Sequence, residues 1–291
     1  MGTTRTAPSR SPQPLNSPQT LTFDQLQVVV LEDWDAVAKR AAQVAAIALK
    51  SAVKERNTAS AILATGNTQL AFLKLLAADS AIPWNAIALF HLDEYLGLGG
   101  DHPASFQRYL RDRIETLVQP QAFHYLQGDI AEPISECDRY GALLPETVDL
   151  CCLGIGDNGH LAFNEPGLAS LEDSRRVKVV RLAELTRRQQ VERGAFSQVR
   201  GVPQYAITLT LPAIASARQI LCLAIGRSKA SIVQEMLQGP VNSQCPGDYC
   251  YWIKRLPTCF SQSHYSAIKK SKKSAIKITE ILRSIGDNCL A

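Results

Sequence analysis

The sequence lacks what would send a chain into or across a membrane. No apolar run approaches the roughly 18 to 20 residues needed to span a bilayer, and the first twenty residues have no apolar core of a secretory signal. A cytoplasmic protein without a membrane partner is expected. Cysteine is present, at eight residues, but without a useful pattern. Cys151 and Cys152 are adjacent inside an apolar run, and Cys245, Cys250 and Cys259 lack the paired short spacings of structural zinc sites. Reduced thiols and no metal are the reading. No serine or cysteine sits at a strand-to-helix nucleophile elbow, so the usual hydrolase triad is not supported. Acids are missing before Asp24, and residues 1 to 22, rich in Ser, Thr and Pro, read as a disordered leader.

What is there suits a globular enzyme. A chain of 291 residues with 46% apolar content can bury a sizeable core. Its formal charge of +4 is concentrated in the tail, since residues 241 to 291 carry eight cations against three acids, a net of +5. The body is therefore close to neutral and gives no electrostatic argument for nucleic acid.

Apolar runs alternate with helical periodicity along most of the chain. Strands are expected at 26 to 31, 59 to 64, 85 to 92, 148 to 155, 175 to 180, 204 to 211 and 219 to 225. Helices are expected at 33 to 54, after Thr68, near 105 to 113, and at 132 to 144, 184 to 196 and 228 to 238. Strands that are apolar almost throughout, each followed by a helix, predict an α/β fold. Its expected form is an open, mostly parallel, doubly wound Rossmann-like sheet covered by helices on both faces. Ligands of such sheets sit beyond the carboxyl ends of the strands. That directs attention to the loops at 65 to 68, 93 to 99, 154 to 167 and 226 to 229.

Each of these loops carries chemistry. The turn Gly66-Asn67-Thr68 opens a helix, where backbone N–H groups and the helix dipole can hold an anion or simply cap the helix. Lys229 opens another helix, where a cation opposes the dipole unless an anion is close. Asp93 and Glu94 follow a strand directly and could cap a helix, bind a cation or supply a general base. His91, inside that strand, reads as a core histidine. Between Gly154 and Gly167 stand Asn158, His160 and Glu165, an amide, an imidazole that titrates near neutrality and a carboxylate able to orient it.

Taken together, "TGNT", "LDEYLGL" with "HPASF", "GIGDNGHLAFNEPG", and "VPQYAITLTL" with "GRSKA" resemble the glucosamine-6-phosphate deaminases, related to the 6-phosphogluconolactonases, over roughly residues 26 to 243. The resemblance implies cofactor-free conversion of glucosamine 6-phosphate and water to fructose 6-phosphate and ammonium. In it His160 opens the sugar ring, Glu165 orients His160, and Asp93 carries a proton between C2 and C1. Gly66, Asn67, Thr68, Lys229 and an arginine matched by Arg187 hold the phosphate of a small-molecule sugar phosphate. A homo-oligomer is left open. Asn158 stands where some relatives carry aspartate, so a positioning role alone is expected of it. Gly66-Asn67-Thr68-Gln69 departs from the family's usual Gly-Thr-Pro. Arg176 and Lys178 lie where some relatives bind an allosteric sugar phosphate, although cations on a strand are commonly just solvated. The resemblance fades near Pro246. Residues 244 to 291 form a divergent basic tail, read as a frameshifted or replaced terminus or as a genuine extension with "AIKITEILRSI" as an amphipathic helix. Lactone hydrolysis and a non-catalytic sugar-phosphate sensor are the rival functions, and loss of turnover on replacing Asp93 separates the first from the main reading.

Overall fold

The computed structural model describes residues 19–23, 26–238 and 245–247. Strand β1 (Gln19–Phe23) pairs antiparallel with β2 (Leu26–Val30). The leader expected over residues 1 to 22 is therefore too long at its carboxyl end. Thr20, Thr22 and Phe23 are the β-branched and aromatic residues that favour strand, a local signal outweighed by the Ser and Pro content before it. Residues 1–18, and the tail apart from 245–247, lie outside the described residues, as does the expected helix at "AIKITEILRSI".

Helix α1 (Trp34–Arg56) starts where the Asp33 carboxylate accepts the Ala36 N–H at 2.7 Å, and ends at Asn57 in the left-handed conformation. Its buried face is mostly alanine, from Ala38 through Ala45 to Ala52, which lets the helix lie close to the sheet. The chain continues through β3 (Ala59–Leu63), α2 (Asn67–Ala77), β4 (Ile87–His91), β5 (Asp93–Tyr95) and α3 (Phe106–Leu110). A π-helical turn at Arg111–Glu115 leads into α4 (Thr116–Val118), β6 (Ala122–Phe123), α5 (Pro133–Leu143) and β7 (Leu150–Gly154). The last described elements are β8 (Val177–Arg181), α6 (Glu184–Glu192), β9 (Tyr205–Leu209), α7 (Leu211–Ala215), β10 (Gln219–Leu223) and α8 (Ala230–Gln238).

The central sheet is parallel, in the order β10-β7-β3-β4-β6. The chain enters it at β3, runs outward through β4 and β6, then returns to the other side of β3 for β7 and β10. The doubly wound expectation is met, with the direction of winding reversing between β3 and β7. Side chains alternate across this sheet as the period of a strand requires. Ile62, Phe90, Cys151 and Leu153 enter one core with Tyr140, Ile214 and Ile232, while Ala61, Leu63, Leu89, Leu150 and Cys152 enter the other with Leu49, Phe72 and Leu76.

Two expected strands lie elsewhere. β8 and β9 join β5 in a separate antiparallel sheet, order β5-β9-β8. β8 reads "VKVVR", only partly buried after Val177, the pattern of an antiparallel strand with a wet face and not of a buried parallel one. A small aromatic core of Tyr95, Phe163, Leu182, Val202 and Ala206 packs against this second sheet.

At the far end from the ligand loops, Asp149 clasps the central strands. Its carboxylate accepts the Ser60 N–H at 2.9 Å and Arg56 Nη2 at 2.7 Å, and lies 3.4 Å from Arg218 Nε. Asp149→Ala leaves the buried Ser60 N–H without its acceptor and is expected to cost about 1 to 3 kcal/mol. Urea unfolding of the variant checks this, and an unchanged midpoint would contradict it.

Candidate active site

Four loops meet at the carboxyl edge of the central sheet, and strand order sets their sequence across it: Lys229 after β10, the glycine-rich loop after β7, Gly66–Thr68 after β3, and Asp93 beyond β4. The β3 and β7 loops flank the winding reversal, the place where an open α/β sheet leaves a crevice.

In the β3 loop, Gly66 has φ of +107°, a conformation that favours glycine, and α2 begins at the next residue. The first N–H groups of a helix have no partner within it, so the Gly66–Thr68 turn presents donors at the positive end of the dipole. The Tyr109 hydroxyl donates to the Gly66 carbonyl at 2.8 Å and fixes the turn from the side of α3.

The β7 loop is a tight turn, with the Gly156 N–H bonded to the His160 carbonyl at 2.9 Å and the Gly159 N–H to the Gly156 carbonyl at 3.1 Å. The His160 ring lies against Gly156 so closely that a Cβ there would fall 2.2 Å from Nδ1. Its far side is tied to the second sheet: Asn164 Nδ2 donates to the Leu209 carbonyl and the Phe163 N–H to Thr208 Oγ1. Gly247 donates its N–H to the Gly159 carbonyl at 2.7 Å, so the start of the tail segment also braces this loop.

These constraints assemble a directed chain of hydrogen bonds. Asn158 Nδ2 donates to Glu165 Oε2 at 2.9 Å, and Thr186 Oγ1, from the first turn of α6, donates to Glu165 Oε1. A carboxylate only accepts, so the Asn158 amide must turn its nitrogen to Glu165 and its oxygen to His160. That oxygen lies 2.7 Å from His160 Nδ1 and also accepts the His160 N–H at 3.2 Å. Nδ1 therefore carries the proton in the neutral ring, and Nε2 keeps its lone pair. Burial lowers the His160 pKa below the usual 6.5; Lys229 and Arg193 push the same way, while Glu165 and Asp157 oppose them. Near neutral pH the ring is a base at Nε2.

Asp93 and Glu94 have separate fates. Glu94 accepts from the Ser105 hydroxyl and from the N–H groups of Tyr95, Phe106 and Gln107, so it fixes the start of α3. Asp93 is buried beside it, and that burial, reinforced by the charge of Glu94, raises its pKa to about 8. Such a carboxyl is poised for proton transfer near neutrality. His91 is a core histidine, as expected: its Nε2 accepts the Leu126 N–H, and burial lowers its pKa to about 3.

Lys229, expected to face a phosphate, has its Nζ 2.6 Å from Asp157 Oδ1 in the structure. Arg193 Nη2 approaches the same carboxylate at 4.0 Å. Burial alone would raise the Asp157 pKa, but Lys229, Arg193 and His160 together hold it below the usual range. Arg187 has different partners, donating from Nη2 to the Val199 and Val202 carbonyls at 2.7 and 2.8 Å and so pinning α6 to the turn that follows it. The arginine that reaches the loop cluster is Arg193. Sequence reading passed it over because an arginine before a glycine at a helix end is ordinary; Thr186, in a helix first turn, gave no signal either. Arg176 is engaged with the Gly141, Leu144 and Pro145 carbonyls at the end of α5, and Lys178 with Asp173, so both are internally partnered.

The sequence profile described as glucosamine-6-phosphate isomerases/6-phosphogluconolactonase matches residues 32–254. The chain belongs to this family. The profile runs a short way past Pro246, where the resemblance was expected to fade. The glucosamine-6-phosphate deaminase of Exiguobacterium sp. is 37% identical over 202 residues, covering 69% of this chain and 77% of the relative. A monomeric glucosamine-6-phosphate deaminase of solved structure superposes with a TM-score of 0.70 at 30% identity, covering 76% of this chain and 91% of its own. A 6-phosphogluconolactonase from Shewanella baltica superposes at 0.64 with 21% identity, covering 78% and 92%, a likeness of fold alone.

The hydrogen-bond chain makes a spectroscopic prediction. In 15N NMR, neutral His160 should be protonated at Nδ1 and titrate with a midpoint below 6.5. Asn158→Ala should lose that preference; a wild-type ring protonated at Nε2 would contradict the geometry.

Proposed function

We propose that this protein converts glucosamine 6-phosphate and water to fructose 6-phosphate and ammonium. The observation that carries the reading is the pairing of two proton-transfer groups of different kind at one sheet edge. One is an imidazole held as an Nε2 base on the β7 loop, the other a buried carboxyl with a raised pKa beyond β4. Ring opening needs a group that takes a proton from one oxygen and returns it to another, which suits His160. Moving a proton from C2 to C1 needs a carboxylate fixed beside carbon and shielded from water, which suits Asp93. Lactone hydrolysis has use for the first group but none for the second.

Phosphate binding falls to the N–H groups of Gly66, Asn67 and Thr68, with Lys229 and Arg193 as the cations. Arg193 takes the place expected of Arg187, whose guanidinium is engaged with carbonyls of its own neighbourhood. Loss of the amino group follows isomerisation, when C2 is a carbinolamine or imine and water completes the release. The substrate is a small molecule of the cytoplasm. Among the described residues no helix is long and apolar enough to cross a membrane.

The pH dependence follows from Asp93. Its pKa is raised, so the base form is the minority at neutral pH and grows as pH increases; kcat/KM should climb through about pH 8 and then level. Asp93→Asn should lower kcat by about 10²- to 10⁴-fold and remove that limb. Retention of ammonium release in Asp93→Asn would sink the assignment.

A further inference from the structure

We infer that Thr186 is a positioning residue which, by donating its hydroxyl from α6 to Glu165, sets the orientation of the Asn158 amide and hence which nitrogen of His160 is the base. The inference rests on the proposed role of His160 in ring opening and adds the group that holds it in readiness.

Thr186 is 2% exposed and Glu165 5%, so water is a poor substitute for either partner. Glu165 Oε1 accepts from Thr186 Oγ1 and Oε2 from Asn158 Nδ2. With both oxygens engaged the carboxylate cannot rotate, and the amide has one orientation available. Without the hydroxyl, Oε1 becomes a buried acceptor lacking its donor, a state that structures avoid by rearranging. The carboxylate can then turn away from Asn158, and once that acceptor is gone only the His160 N–H, at 3.2 Å from Oδ1, holds the amide in its orientation. A flipped amide presents N–H groups to Nδ1, which must then accept. The ring proton moves to Nε2, and the base is lost from the side where the substrate reacts.

The same helix touches the loop a second time. Arg193, just beyond α6, reaches Asp157, while Thr186 in its first turn reaches Glu165. Asp157 and Glu165 bracket His160 in sequence, so α6 grips the loop on both sides of the imidazole. The charged groups facing that ring are Asp157 and Glu165 from its own loop, Lys229 from the turn before α8, and Arg193 from the end of α6. Thr186 is uncharged and acts through Glu165, so replacing it alters orientation without adding or removing charge.

The test compares the wild type with Thr186→Val, which keeps shape and removes the donor, Thr186→Ala, which removes the donor with less steric demand, and Thr186→Ser, which restores it. Ammonium release from glucosamine 6-phosphate gives kcat and KM, and 15N NMR gives the His160 tautomer. The expected result is a fall in kcat of about tenfold or more in the valine and alanine variants, with KM within about twofold. His160 should shift towards the Nε2-protonated form in both, and the serine variant should recover most of the activity. Valine and alanine variants with wild-type kcat and an unchanged tautomer would overturn the inference, as would a serine variant as impaired as valine. His160→Gln run beside them separates the two claims. If the wild type turns over substrate and His160→Gln does not, the functional reading stands whatever Thr186 does. If the wild type releases no ammonium, that reading fails first.

Discussion

The site depends on the two-sided character of one amide. Asn158 donates on one side and accepts on the other, and because its donor side faces a carboxylate its acceptor side must face His160. An aspartate in that position could accept from the ring but could not donate to Glu165 unless it were protonated. With asparagine, the relay carries direction without carrying a proton. Glu165 therefore acts on His160 through orientation and through its charge at 3.9 Å from Nδ1, not through a shared proton.

Electrostatic balance follows from this arrangement. Burial depresses the His160 pKa, and Lys229 and Arg193 push the same way, which favours the neutral ring that the proposed ring-opening role requires. Asp157 keeps the two cations from facing one another without an intervening anion. On the other side of the β3 loop, the Asp93 pKa is raised by burial and by Glu94, whose own pKa burial also raises against the pull of donors from Tyr95 in β5 and from Ser105, Phe106 and Gln107 at the start of α3. One acid is held in place by hydrogen bonds that offset part of the burial raising its pKa, and its neighbour is left as the titratable group. Two adjacent carboxyls in one sequence motif thus differ because, among the described residues, Glu94 meets hydrogen-bond donors and Asp93 meets none.

Much of this was legible in the sequence. The run of buried strands and helices gave the doubly wound sheet, and placing Gly66, Asp93, His160 and Lys229 at strand ends was enough to bring them to one edge. The second sheet was not legible as such, because β5 is three residues long and β8 and β9 look like further members of an alternating series. The sequence resemblance points to Arg187 and is silent on Arg193, for a related reason. Both fall in the helix expected over 184 to 196, but Arg193 lies just past the end of α6, and which of them faces the loops depends on how α6 seats against the turn at Val199–Gly201. Thr186 was invisible because its importance comes from a partner twenty-one positions away in sequence. Sequence gave residue types and strand ends; what it could not give was the facing of a helix whose anchor is a pair of backbone carbonyls.

The central claim is that carbon chemistry at Asp93 and ring opening at His160 occur in one turnover. Product analysis by NMR, with glucosamine 6-phosphate and 6-phosphogluconolactone offered separately, tests it most directly. The account predicts fructose 6-phosphate and ammonium in equal amounts from the amino sugar. Hydrolysis of the lactone with the amino sugar left intact would contradict it.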